Sequence, residues 1–194
     1  MINAAPQQKY QVRFDVGLAG FRALAAAADV VILADALPAA DPASSVPTSL
    51  HGHQVIAANL ADSASVAEWV LARQAEKGDR FAVAVIAVGE RRADGSSRFA
   101  VEDQLAAGAV IDALAARGID HCSPEAAAAA AGFVGLKQAV RHLVTASETA
   151  QALAQAGRQA EVAAAVPAPV GATVTDVPAP SPGISRLREF AFPA

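Results

Sequence analysis

From residue 88 the chain reads Val-Gly-Glu-Arg-Arg-Ala-Asp-Gly-Ser-Ser-Arg-Phe-Ala-Val-Glu-Asp. Charged residues are only 18% of the sequence, so this gathering of acids and arginines calls for a reason. Glu90, Glu102 and Asp103, with Asp35 at the end of an earlier apolar run, are carboxylates of the kind that hold a hard cation. Magnesium takes oxygen ligands and keeps several waters. Arg91, Arg92 and Arg98 carry guanidinium groups that match phosphate or sulfonate geometry. Free N–H groups at the start of the following helix would add to anion binding. A plainer reading competes. Acids in a first helical turn are favoured by the helix dipole alone, worth about 0.3–1 kcal/mol. On that reading Glu102→Gln leaves folding nearly unchanged, and Asp94-Gly95 is simply a turn.

The elements around these residues decide whether they can meet. Tyr10, Val12, Phe14 and Val16 alternate, which predicts a half-buried strand over 10–16. The runs at 29–36 and 81–88 are continuously apolar, as in strands buried on both faces, and 54–59 is a further strand. Helices are expected from Gly17, from the Ser65/Glu68 capping-box spacing to Gly78, over 99–117, from Ser123-Pro124, and in two pieces after Leu136. Strand and helix alternate through residue 118, which argues for a layered α/β domain. The boundaries drawn are a domain over 1–166 and a proline-rich tail over 167–194. Ligands of open α/β sheets sit beyond the carboxyl ends of the strands. Asp35, Glu90 and Glu102 are therefore expected in one cleft, provided that their strands are parallel neighbours.

Composition narrows the function classes. The chain has 194 residues, 54% of them hydrophobic, enough for one sizeable core. A net charge of −4 gives no basic footprint for nucleic acid. No apolar stretch is long and uninterrupted enough to suggest a membrane span. The N-terminus lacks a basic segment followed by an apolar one, so no signal peptide is expected. A single cysteine, Cys122, excludes an internal disulfide and fits a cytoplasmic setting.

The order of these features resembles a known family. The blocks ADVVILADAL, VIAANLADSASVAEWV, AVIAVGERRADGSSRFAVEDQLAAGAVIDAL and SPEAAAAAAGF are similar to successive blocks of the 2-phosphosulfolactate phosphatase family (ComB-like proteins). The third is the most specific, with Gly89, Phe99, Glu102-Asp103 and Gly108-Ala109 at the family's positions. The resemblance spans residue 10 to the C-terminus and weakens after about residue 135. It implies a three-layer α/β/α single domain with a mostly buried sheet and a helical C-terminal half. It also implies a magnesium-dependent hydrolase of a small phosphorylated or sulfonated acid. Asp35 and Glu102 match the family's acidic, metal-side groups. Glu90 or Asp103 would then position water, and Gly89, Arg91 and Arg98 would face the substrate. The chain also departs from the pattern. Prolines follow Asp35, and a short loop runs from Pro38 to Gln54 where the family carries a longer segment. Two function classes stay open: the hydrolase, and a catalytically degenerate relative that binds or oligomerises. A homo-oligomer is left open in either case.

Other residues carry weaker signals. His51 and His53 lack further ligands nearby and read as a solvated loop. His121 beside Cys122 seldom makes a catalytic pair, because such partners come from elsewhere in the chain. Gly108 costs a helix about 1 kcal/mol relative to alanine, which close helix–sheet packing would explain. Trp69 reads as core or interface. Gly17 and Gly20 lack the third glycine of a dinucleotide loop.

Overall fold

A computed structural model of the chain describes residues 6–38, 54–92 and 97–166. Four strands, β1 (Val12–Val16), β2 (Val30–Ala34), β3 (Gln54–Ala58) and β4 (Val83–Ala87), form one parallel sheet in the order β1-β4-β2-β3. Each lies within its expected run. Their β-branched content and burial follow from crossover connections, which put helices over both faces.

Alternate residues of each strand serve different faces. Val31, Leu33, Val55, Ala84 and Ile86 pack on Phe21 and Leu24 of α1 (Gly17–Leu24). Val30, Ile32, Ile56, Val83 and Val85 meet the larger cluster on the other face. That cluster includes α2 (Ser63–Lys77), α3 (Val101–Ala115) and α4 (Pro124–Leu136), followed by α5 (Val140–Thr145), α6 (Glu148–Gln155) and α7 (Gln159–Ala165). The result is three layers, with the helical C-terminal half on one side. Fully covered side chains such as Ile32, Ile86 and Leu105 each stabilise the fold by about 1.5–3 kcal/mol.

Local signals act largely where the sequence puts them. Ser123 caps α4, its hydroxyl accepting from the Ala126 N–H at 3.1 Å, with Pro124 in the first turn. Ser147 does the same for α6 through Ala150 at 3.2 Å. Trp69 is core and meets Phe81 edge-on at 6.3 Å between centroids.

Three expectations are corrected. The Ser65/Glu68 capping box does not form. The helix starts at Ser63, after a turn closed by the Asn59 N–H donating to Asp62 at 3.1 Å, and Glu68 pairs with Arg117 at 2.8 Å. β1 is more than half-buried. Val12 bridges Cys122 on its outer side, and Arg13, 4% exposed, donates to the carbonyls of Gln8, Tyr10 and Ala27. Gly108 admits a neighbouring helix rather than the sheet. A Cβ there would stand 2.4 Å from the Ala129 carbonyl oxygen and 2.7 Å from the Phe133 Cβ, so the missing side chain lets α3 and α4 touch.

His51, His53, the turn at 93–96 and the tail over 167–194 lie outside the described residues. Cys122 is half-buried, and burial followed by the charge of Asp120 raises its thiol. The His121 ring is turned to Tyr10, which it meets obliquely, and to Arg80.

Candidate active site

The acids converge because β2 and β4 are adjacent and parallel. Ala34 lies opposite Ala87, and the Val88 N–H donates to the Ala34 carbonyl at 3.0 Å. Asp35 thus leaves β2 beside the point where Val88-Gly89-Glu90 leaves β4. Glu90 sits on β5 (Glu90–Arg91), which pairs antiparallel with β6 (Ser97–Arg98). This hairpin leads straight into α3 and its first-turn acids. Gly89 makes the hairpin possible. Its φ is +69°, and a Cβ would stand 2.6 Å from the Arg98 carbonyl oxygen, so a side chain meets both strain and a clash.

Glu102 and Asp103 are consecutive and both buried, at 1% and 5% exposure, yet their surroundings are opposite. Asp103 accepts from the Ala36 N–H on Oδ1 at 2.9 Å and from the Gly89 N–H on Oδ2 at 2.8 Å. Neither oxygen of Glu102 has a hydrogen-bond partner among the described residues. The dipole reading of these acids fails on magnitude for Glu102. A buried ion without a partner costs several kcal/mol, whereas the dipole returns about 0.3–1 kcal/mol. An orphaned carboxylate of this kind needs a physical reason, and a bound ion is one that supplies it.

Electrostatics tie the group together. The Asp35 carboxyl is raised to about 6, first by the protein that crowds out solvent, then by the charges of Glu90 and Glu102. A bond from the Leu37 backbone N–H opposes the rise. The outer side of Asp35 still reaches solvent. Asp103 is pushed well above the usual carboxylate range, by burial first and then by Asp35, with Glu102 adding to it; the Ala36 and Gly89 N–H groups pull the other way. Asp35, Glu90, Glu102 and Asp103 therefore share one site of concentrated negative charge. Glu102 and Asp35 are the residues able to hold a hard cation, one through two unpartnered oxygens and one at the solvent side. Among the described residues, no three His, Cys, Asp or Glu side chains are gathered closely enough to hold an ion by themselves.

The arginines divide. Arg98 turns to α6, with Nε 3.2 Å from Glu148, Nη2 donating to Thr149 at 3.2 Å, and Nη1 donating to the Phe99 carbonyl at 3.1 Å. Arg92 is exposed just after β5. The side chain of Arg91 lies outside what the structure describes. The Gly89 N–H is taken by Asp103, so this glycine serves the site by shaping the turn. An open hollow lined by Gln11, Gln74 and Arg80 lies at the amino ends of β1 and β4, away from the acids.

Sequence reasoning missed the N–H groups of Ala36 and Leu37 as partners of the acids. It also missed Glu148 and Thr149 as partners of Arg98. A backbone donor leaves no mark in residue type, and Glu148 reads only as a first-turn helix residue.

A family model described as 2-phosphosulpholactate phosphatase matches residues 44–177. The chain belongs to that family. No curated protein matches it. Membership in the 2-phosphosulpholactate phosphatase family supports a phosphatase-like function. The matched segment contains Glu90, Glu102 and Asp103 and starts after β2. Asp35 thus enters the site through geometry, as the neighbour of these acids across the β2–β4 ladder.

Proposed function

We propose that the chain is a magnesium-dependent phosphatase acting on a small phosphorylated acid of the 2-phosphosulfolactate type. The observation that carries this reading is the buried, unpartnered carboxylate of Glu102, which stands beside Asp35 in a chain of this family. Magnesium is commonly held by one or two carboxylates, with water and substrate phosphate completing its shell. Asp35 and Glu102 supply that number. When bound, the ion would supply Lewis-acid polarisation of a phosphoryl oxygen. Glu90, half-buried on β5, orients the attacking water. Asp103 has both oxygens engaged by backbone N–H groups and is not assigned that task. Arg92, exposed at the hairpin, faces the anionic tail of the substrate, and Arg91 is a second candidate for that contact. The cytoplasm is the expected compartment; among the described residues no helix is long and apolar enough to cross a membrane.

Purified protein should release phosphate from phosphosulfolactate only when magnesium is present. Turnover should fall by a factor of roughly a hundred or more in Glu102→Gln, the loss typical of one group that stabilises a transition state. Equal activity in the two proteins would remove Glu102 from the chemistry.

The second reading is a degenerate relative that binds or oligomerises. What favours it is the uncovered end of α4, where Val134 is 53% and Leu136 42% exposed. Absence of phosphate release from both proteins would support it.

A further inference from the structure

The division of labour between Glu102 and Asp103 reaches further than the assignment of a ligand. Glu102 has two oxygens and no partner; Asp103, one residue on, has both oxygens engaged. The partners of Asp103 are not arbitrary. Ala36 directly follows Asp35, and Gly89 directly precedes Glu90. One carboxylate therefore grips the backbone beside each of two neighbouring acids, and is covalently next to the third. It does so across two separate chain segments, the end of β2 and the start of the β5 hairpin.

Asp35 and Glu90 carry like charges and lie on separate segments, Asp35 held to β3 by its N–H on the Ala58 carbonyl at 2.9 Å and Glu90 paired with Arg98 in the hairpin. Two bonds at 2.9 and 2.8 Å from the Ala36 and Gly89 N–H groups to one side chain tie these two segments to each other and to α3. We infer that Asp103 is a positioning residue, whose clamp on the Ala36 and Gly89 N–H groups fixes the backbone beside Asp35 and Glu90, so that Asp35 stands with Glu102 for the cation and Glu90 stands next to them for the water. The inference rests on the cation-binding reading above and adds a role for a residue that touches neither ion nor substrate.

Asp103→Asn is the test variant. Asparagine has one acceptor oxygen, so one N–H would face an NH2 group and its half of the clamp would break. Removing a group that orients metal ligands typically weakens metal affinity by about 10–100-fold. Calorimetric titration with magnesium alone should show a loss in that range. Phosphate release should need correspondingly more magnesium, with turnover recovered as magnesium is raised. Amide hydrogen exchange in metal-free buffer reads the clamp itself. Whichever of the Ala36 and Gly89 amides faces the NH2 group should lose protection while β2 and β4 keep theirs.

Unchanged magnesium affinity beside a lowered melting temperature would make Asp103 a brace of the fold and overturn the inference. So would a fall in turnover at saturating magnesium with affinity unchanged, which would place Asp103 on the reacting groups. If Asp103→Asn does not fold, Asp103→Glu, which moves both oxygens outward by one methylene, is measured in its place. A folded Glu variant with wild-type affinity and protection overturns the inference too. Failure of the wild-type protein to bind magnesium would instead bring down the cation-binding reading. The exchange measurement would still report whether the clamp exists.

Discussion

Glu102→Gln should make the metal-free protein more stable, although it removes the group assigned to the ion. The side chain is 1% exposed, and both oxygens lack a partner among the described residues. An unpaired buried ion costs several kcal/mol, about 4–5 as a working figure. The neutral amide in the same place costs about 1–3 kcal/mol if it too finds no partner. Loss of the favourable dipole interaction at the start of α3 removes about 0.3–1 kcal/mol. The balance is a gain of about 2 kcal/mol, or roughly 4–8 °C in melting temperature for a chain of this size. This replaces the expectation of a nearly neutral substitution, because burial rather than the helix dipole dominates the site. Magnesium should reverse the order. An ion at a hundred times its dissociation constant stabilises the protein that binds it by about 2.7 kcal/mol, and only the wild type should gain it. Thermal denaturation of both proteins, in chelator and in magnesium, reads all four values. A Gln variant that melts below the wild type in chelator, or gains equally from magnesium, would refute the reasoning.

Asp35→Asn tests the raised carboxyl. A group with a folded pKa of about 6 against an ordinary 3.8 binds its proton more tightly in the folded state. Its ionisation therefore costs stability as pH rises from about 4 to 6, and the full cost is present above that window. Urea denaturation should find Asp35→Asn more stable than wild type at pH 7, with the advantage vanishing toward pH 4; an advantage that grows on acidification would contradict the assignment. Gly108→Ala sets a helix-propensity gain of about 1 kcal/mol against a Cβ that would stand 2.4 Å from the Ala129 carbonyl oxygen. Overpacking of this kind costs about 1–3 kcal/mol, so denaturant unfolding should show a net loss of about 1 kcal/mol. A stabilised variant would mean that α3 and α4 separate without cost.

Much of this protein is set by composition and order along the chain. Continuous apolar runs such as Val30–Ala34 and Val83–Ala87 cannot stay in water, and their length and β-branched content make them strands covered on both faces. Chain polarity then puts Asp35 and Gly89-Glu90 at carboxyl ends. Ser123 before Pro124 determines a helix start through a bond that needs nothing beyond the next turn. The Glu102-Asp103 pair and the blocks around it were legible enough to indicate the family. Tertiary structure decided the rest. That β2 and β4 are neighbours, although β3 lies between them in sequence, depends on where the crossovers pack, and only this adjacency joins Asp35 to the later acids. The opposite fates of Glu102 and Asp103 had no sequence signal. α3 is apolar around nearly its whole circumference and is buried between the sheet and α4, so no amphipathic stripe marks its rotation. That rotation, set by side-chain packing and by the contact at Gly108, determines that one carboxylate meets two backbone donors and the next meets none.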